Sequence, residues 1–135
     1  MSTARTLALV AALAVGVAAG IWYLERPPVG PAEPIWDKES CAHCSMAVSD
    51  PHYAAQIQTR DGRVLFFDDP GCLLQYEKDH HPEEQAVYFH HSREPRWMPK
   101  AATGFVKAAR TPMNWGLAAV DAEEANHGDA APAPR

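Results

Sequence analysis

Tyr53-Ala54-Ala55-Gln56-Ile57-Gln58-Thr59-Arg60-Asp61-Gly62-Arg63-Val64-Leu65-Phe66-Phe67 carries the strongest structural signal in this chain. Tyr53, Ala55 and Ile57 alternate with Ala54, Gln56 and Gln58, which is the period of a half-buried strand. Arg63 to Phe67 is β-prone and apolar apart from its first residue. Between them lies Asp61-Gly62, the pair that a two-residue type I′ hairpin turn prefers. The pattern therefore predicts an antiparallel hairpin. Asp68-Asp69-Pro70-Gly71 breaks the second strand, and Asp69 is placed to cap a helix with Pro70 in its first turn. Cys72, Leu73 and Tyr76 share one face of that helix with Leu74 beside them, while Gln75, Glu77, Lys78 and Asp79 are mostly outward. His80 and His81 close it, where positive charge suits the helix dipole, and Pro82 stops it. Ala86 to Phe89 reads as a third strand. The first half of the domain is thus β-β-α-β, an α+β arrangement.

Downstream, Trp97-Met98-Pro99 ends a short strand, and Lys100 to Thr103 reads as a helical turn. Phe105 to Ala108 and Gly116 to Val120 are two weaker strands, joined through a loop containing Thr111-Pro112-Met113-Asn114. From Ala122 the chain is polar and carries Pro132 and Pro134, which predicts a disordered tail over 122–135. No internal repeat is visible.

Upstream, Thr6 to Leu24 is a run of 19 uncharged, mostly apolar residues, preceded by Arg5 and closed by Glu25 and Arg26. That length just spans a bilayer as a helix. Val17-Ala18-Ala19 resembles the small-residue cleavage site of a secretory signal peptide. The apolar run nevertheless continues through Ile21, Trp22 and Tyr23, and the two aromatics suit a membrane interface. The segment 1–24 is read as a transmembrane anchor or uncleaved signal. Both readings put the rest of the chain outside the cytoplasm, which implies an inner-membrane anchor with the domain facing the periplasm. No cysteine lies near the segment, so a lipid anchor there is excluded. Pro27, Pro28, Pro31 and Pro34 make 25–36 a semi-rigid spacer, and the folded domain is expected over 37–121.

The chain has 135 residues and a net charge of −5, and an acidic surface argues against nucleic-acid binding. Three cysteines are too few for a disulfide scaffold, and the odd count leaves at least one thiol free, bound to metal or paired with another chain. Two of them open Cys41-Ala42-His43-Cys44-Ser45-Met46. This stretch places two thiols, a thioether and an imidazole within six residues. Thiolate and thioether are soft donors that together favour Cu(I). A disulfide across Cys41 and Cys44 would close a very short loop and stabilise little. Metal binding by Cys41, Cys44 and Met46 is the preferred reading, with His43 as an optional ligand.

Three elements in order resemble the NosL family, copper-binding accessory proteins of nitrous-oxide reductase assembly. They are Cys41 to Met46, the run Gly62-Arg63-Val64-Leu65-Phe66-Phe67-Asp68-Asp69-Pro70-Gly71, and Thr111-Pro112-Met113-Asn114-Trp115-Gly116. The similarity runs from about Asp37 to Asp121. It implies a fold of β-β-α-β units related to that of organomercurial lyase. It also implies a metallochaperone, without catalysis, that delivers Cu(I) to a client copper enzyme such as nitrous-oxide reductase or an oxidase. A membrane copper-delivery transporter is a further partner that this role admits. The resemblance makes Cys44 and Met46 the best candidate ligands, adds Met113, and leaves Cys41 more variable. Two features depart from the family: members are commonly lipoproteins, and after Val120 the sequence predicts no helix and strand to complete a second unit.

Other classes compete. A structural zinc site would use Cys41, Cys44, Cys72 and a histidine. A thiol-disulfide oxidoreductase would use the Cys41–Cys44 pair, but Ser45 to Pro51 is not a convincing helix start. Cys72 reads first as a small buried residue and second as a thiolate at a helix N-terminus. Met98, between Trp97 and Pro99, reads as packing. The remaining histidines, His52, His80, His81, His90, His91 and His127, are assigned no role.

Overall fold

The computed structural model describes residues 2–26 and 29–127. Its first element is helix α1, Thr3–Leu24, with a mean hydropathy of 2.2 over its most apolar window and no buried residue. At 1.5 Å per residue this helix is about 33 Å long, close to the hydrocarbon thickness of a bilayer. The Arg26 guanidinium sits 3.8 Å over the Trp22 ring. By length and composition α1 is long and apolar enough to cross a membrane, and it could be an anchor or a signal sequence.

The domain that follows is α+β. Strands β1 (Ala55–Thr59), β2 (Val64–Phe67), β3 (Glu84–His90) and β4 (Trp97–Pro99) form one antiparallel sheet in the order β2-β1-β3-β4. Strands β5 (Thr103–Lys107) and β6 (Leu117–Asp121) form a second, two-stranded antiparallel sheet. Helix α2, Pro70–His80, connects β2 to β3. Asp69 caps it by accepting the Gly71 amide at 3.0 Å, Pro70 opens it, and His81 ends it in the left-handed region at φ 46°. The predicted β-β-α-β order is thus present, with the helix bounded by the residues that the sequence singles out.

The hairpin turn differs from expectation. Gly62 has φ 88°, but Asp61 is not among the described residues with positive φ, so the turn is not type I′. The Gly62 amide instead bonds the Thr59 carbonyl at 3.0 Å, and the Thr59 amide bonds the Arg63 carbonyl at 2.9 Å. This makes a three-residue loop with glycine at its left-handed position. The side chain of Asp61 is held by the Thr59 hydroxyl and by Arg63 Nε at 2.9 Å, which favours this wider loop.

The core gathers Ile57, Phe67, Leu73, Phe89, Met98 and Val48, with Cys41 and Cys72 among them. Full burial of side chains of this size contributes about 1.5–3 kcal/mol each. Met98 is a core residue, as its sequence context suggests. Phe89 and Phe105 meet edge to face at 5.1 Å and join the two sheets. A second correction concerns β1, predicted as half-buried: all five of its residues are buried. Its polar face is covered by chain from the expected spacer. Gln56 donates to the Ala32 carbonyl at 2.8 Å and accepts the Ala32 amide at 2.9 Å, and Gln58 donates to the Gly30 carbonyl at 2.7 Å. Trp97 Nε1 donates to Glu33 at 2.7 Å. Residues Gly30 to Glu33 therefore lie against the sheet as a strap; Pro27 and Pro28 fall outside the described residues.

The start of the predicted disordered tail is a short helix, α3, Ala122–His127. Gly104 on β5 makes room for it, since a Cβ there would stand 2.3 Å from the Ala125 methyl. Arg93 also pairs with Glu124. The rest of the expected tail lies outside the described residues.

Candidate metal centre

The loop Cys41 to Met46 is built to turn its sulfurs inward. The Cys41 amide bonds the Met46 carbonyl at 2.8 Å, and the Ser45 amide bonds the Cys41 carbonyl at 2.9 Å. Ser45 makes the bend at φ 64°. An isolated bridge pairs Ser40 with Ala47, and the Ala42 amide bonds the Phe66 carbonyl on β2 at 2.9 Å. The loop is thereby pinned beside the end of β2. Asp68 follows that strand directly, and Cys72 sits in the first turn of α2.

These three places converge. The ligand atoms of Cys41, Cys44, Asp68 and Cys72 all lie within 4.8 Å of one another. A tetrahedral ion with bonds to sulfur of about 2.3 Å needs donors roughly 3.8 Å apart, so closure requires about 1 Å of movement at most. Cys41, Asp68 and Cys72 are buried, and Cys44 is partly exposed. All three cysteines are free thiols.

The electrostatics are unbalanced. The Cys72 thiol beside Cys41, helped by the backbone amides of Cys44, Asp68 and His43, draws the Cys41 thiol down to about 6 against the cost of burial. Burial, followed by Cys41 and Asp68, pushes Cys44 up to about 11. Cys72 is pushed up chiefly by its hydrogen bond with Cys41, then by burial and by the charges of Cys41, Asp68 and Cys44. The Cys44 thiol donates to Asp68 Oδ1 at 3.3 Å. Among the described residues no lysine, arginine or histidine forms an ion pair with Asp68. Ionising several of these buried acidic groups together without a protein cation would be costly. A metal cation would supply compensating charge, and the four side chains could hold one.

Of the residues singled out in the sequence, Cys41 and Cys44 join the cluster. Met46 lies beside it in the chain and is 57% exposed; Met113 is 38% exposed. The Met113 amide donates to Asp69 Oδ2 at 3.0 Å, and Trp115 packs on Gly71. The Trp115 ring lies 6.4 Å from that of His43. The three motifs of the resemblance are thus neighbours at one end of the domain, although their sequence separation is large. Two members of the cluster were not placed in the copper site by sequence reasoning. Cys72, whose sequence context favours a core role, is a core residue and also a candidate donor. Asp68 was read as a strand breaker, and it takes the fourth place that the zinc alternative gave to a histidine.

The fold and site together make an α+β domain with a potential metal-binding group, behind an apolar N-terminal helix. No family model, no curated protein and no solved structure matches the chain.

Proposed function

We propose that this protein is a membrane-tethered Cu(I) metallochaperone of the periplasm, similar in role to the NosL family. The observation that carries the reading is the convergence of three free thiols from two separate segments, beside Asp68, at a site with one accessible member. A carrier must hold its ion firmly and still admit an incoming ligand. Cys41 and Cys72 provide the buried hold, and Cys44 provides the approach. Met46 and Met113, soft thioethers on exposed loops, extend the donor set outward and suit Cu(I). The partner is a client copper enzyme, nitrous-oxide reductase being the one that the resemblance suggests, with a copper transporter as the possible source.

A second reading, a zinc site, is favoured by one observation: Asp68, a harder oxygen donor, stands within the thiol group. Three cysteines and a carboxylate make a closed tetrahedral set for Zn(II). The oxidoreductase reading is weakened by the positions of the thiols. The activated thiol, Cys41, is buried, and the accessible one, Cys44, is held protonated.

The test is a competitive Cu(I) titration of the full-length reduced protein in detergent micelles, with Zn(II) run in parallel. One tightly bound Cu(I) per chain, lost in Cys44→Ser and weakened in Met46→Leu and Met113→Leu, is expected. Tight Zn(II) binding with unfolding on chelation and no preference for Cu(I) would replace the delivery role with a structural one.

A further inference from the structure

We infer that Asp69 is a positioning residue that couples the loop Thr111 to Gly116 to the thiol cluster, so that an ion held by the cluster fixes the loop carrying Met113 and Trp115. The inference rests on the metal-binding reading above. Asp69 is fully buried and divides its carboxylate between two elements. Oδ1 accepts the Gly71 amide at 3.0 Å and closes the first turn of α2. Oδ2 accepts the Met113 amide, also at 3.0 Å, from 44 residues further along the chain. The Cys72 amide donates to the Asp69 carbonyl at 3.0 Å. Asp69 therefore stands between two cluster donors, Asp68 before it and Cys72 after it, and holds the loop from the same position.

A second contact reinforces the first. Trp115 approaches Gly71 so closely that a Cβ there would stand 2.1 Å from Trp115 Cγ. The loop is internally braced as well. The Asn114 amide bonds the Thr111 carbonyl at 3.0 Å, and the Gly116 amide bonds the buried Thr111 hydroxyl at 3.2 Å. Asn114 and Gly116 adopt φ 59° and 74° to make the bend. A braced loop fastened at two points to the first turn of α2 moves with that turn. Closure of Asp68 and Cys72 onto an ion settles the turn, and the Met113 amide reports it.

The experiment measures amide hydrogen exchange in the full-length protein in detergent, without metal, loaded with Cu(I) under reducing conditions, and separately loaded with Zn(II). Wild type, Asp69→Asn and Asp69→Ser are compared. Both variants keep a helix-capping side chain but lack the second carboxylate oxygen. In wild type, loading is expected to slow exchange at Met113 by about tenfold, the scale of a typical coupling between two sites. In both variants that slowing is lost, and affinity for the bound ion falls by a similar factor, because coupling is reciprocal. Uptake of either ion with no change at Met113 in wild type, or full slowing retained in the variants, would overturn the inference alone. A wild-type chain that takes up neither Zn(II) nor Cu(I) would overturn the metal reading and this inference with it.

Discussion

Gln56 and Gln58 lie on one face of β1, and Cys41, Cys44, Asp68 and Cys72 lie at the end of the same sheet. Both are groups of polar side chains withdrawn from water, and they are satisfied differently. The glutamine amides find backbone partners in the strap Gly30 to Glu33, donor for acceptor, and nothing is left over. The second group assembles negative charge and finds no protein cation. The first arrangement is complete within the chain and serves stability. The second brings together four side chains that could hold an ion, and that is how a structural polar contact differs from a candidate binding site. Polar groups tied to backbone describe the fold, whereas acidic side chains gathered around one point with no cation among them describe a candidate ligand site.

This contrast can be broken by experiment. The largest effect is expected at the cluster: Cys44→Ser should weaken Cu(I) binding by more than about 100-fold, beyond what changes around a ligand usually cost. Unchanged affinity in a chelator competition would remove Cys44 from the site. Next, saturation with the preferred ion at 100 times its dissociation constant should raise unfolding stability by about 2.7 kcal/mol. Denaturant titrations with and without a chelator measure this, and equal midpoints would argue that the cluster is closed without metal. The glutamine face should behave in the opposite way. Gln56→Ala leaves the Ala32 amide and carbonyl without partners and should cost about 2 kcal/mol of stability while metal affinity stays put. A fall in metal affinity would show that strap and cluster are not independent. Asp68→Asn sharpens the choice of ion: Zn(II) affinity should drop by about tenfold and Cu(I) affinity by less, since oxygen donors matter more to the harder ion.

The smallest effect is electrostatic and lies outside the cluster. His90 is buried, and that burial lowers its imidazole below the usual value; the His91 carbonyl and Glu33 act against the shift, while His52 and His91 act with it. The unfolded chain therefore binds the proton more readily than the folded one. His90 leaves stability intact above an unfolded imidazole value of about 6.5 and lowers it as pH falls through that value. His90→Phe should flatten the pH dependence of unfolding on that side, and an unaltered profile would assign the acid sensitivity elsewhere.

The local signals in the sequence were reliable where the cause was local. The Asp69-Pro70 cap and the Pro82 stop each act within a few residues, and α2 stands where they place it, while the alternation found β1 but began it at Tyr53, which lies in a short helical turn ahead of the strand. Errors arose where a distant partner intervened. The polar face of β1 looked exposed because its cover comes from residues 24 to 28 positions earlier. The tail looked featureless because its first turn depends on the space above Gly104. At the site, reading for soft donors found the Cys41 to Met46 loop but passed over Asp68, whose role appears only when β2 and α2 bring it beside the thiols. Cys72 was weighed as core or ligand, as if the two excluded each other. A candidate metal centre at the edge of a small core lets one residue serve as both.

The strap has a consequence for how far the domain can travel. It fastens Gly30 to the sheet, and α1 ends at Leu24. Six peptide steps separate the two, a contour of about 20 Å at full extension. For a chain anchored through α1, the domain would be leashed to a thin layer above the bilayer. If the proposed delivery role holds, a recipient would have to present its acceptor within that layer or come down to it. Lengthening the leash, with the strap left intact, would widen the layer without altering the cluster.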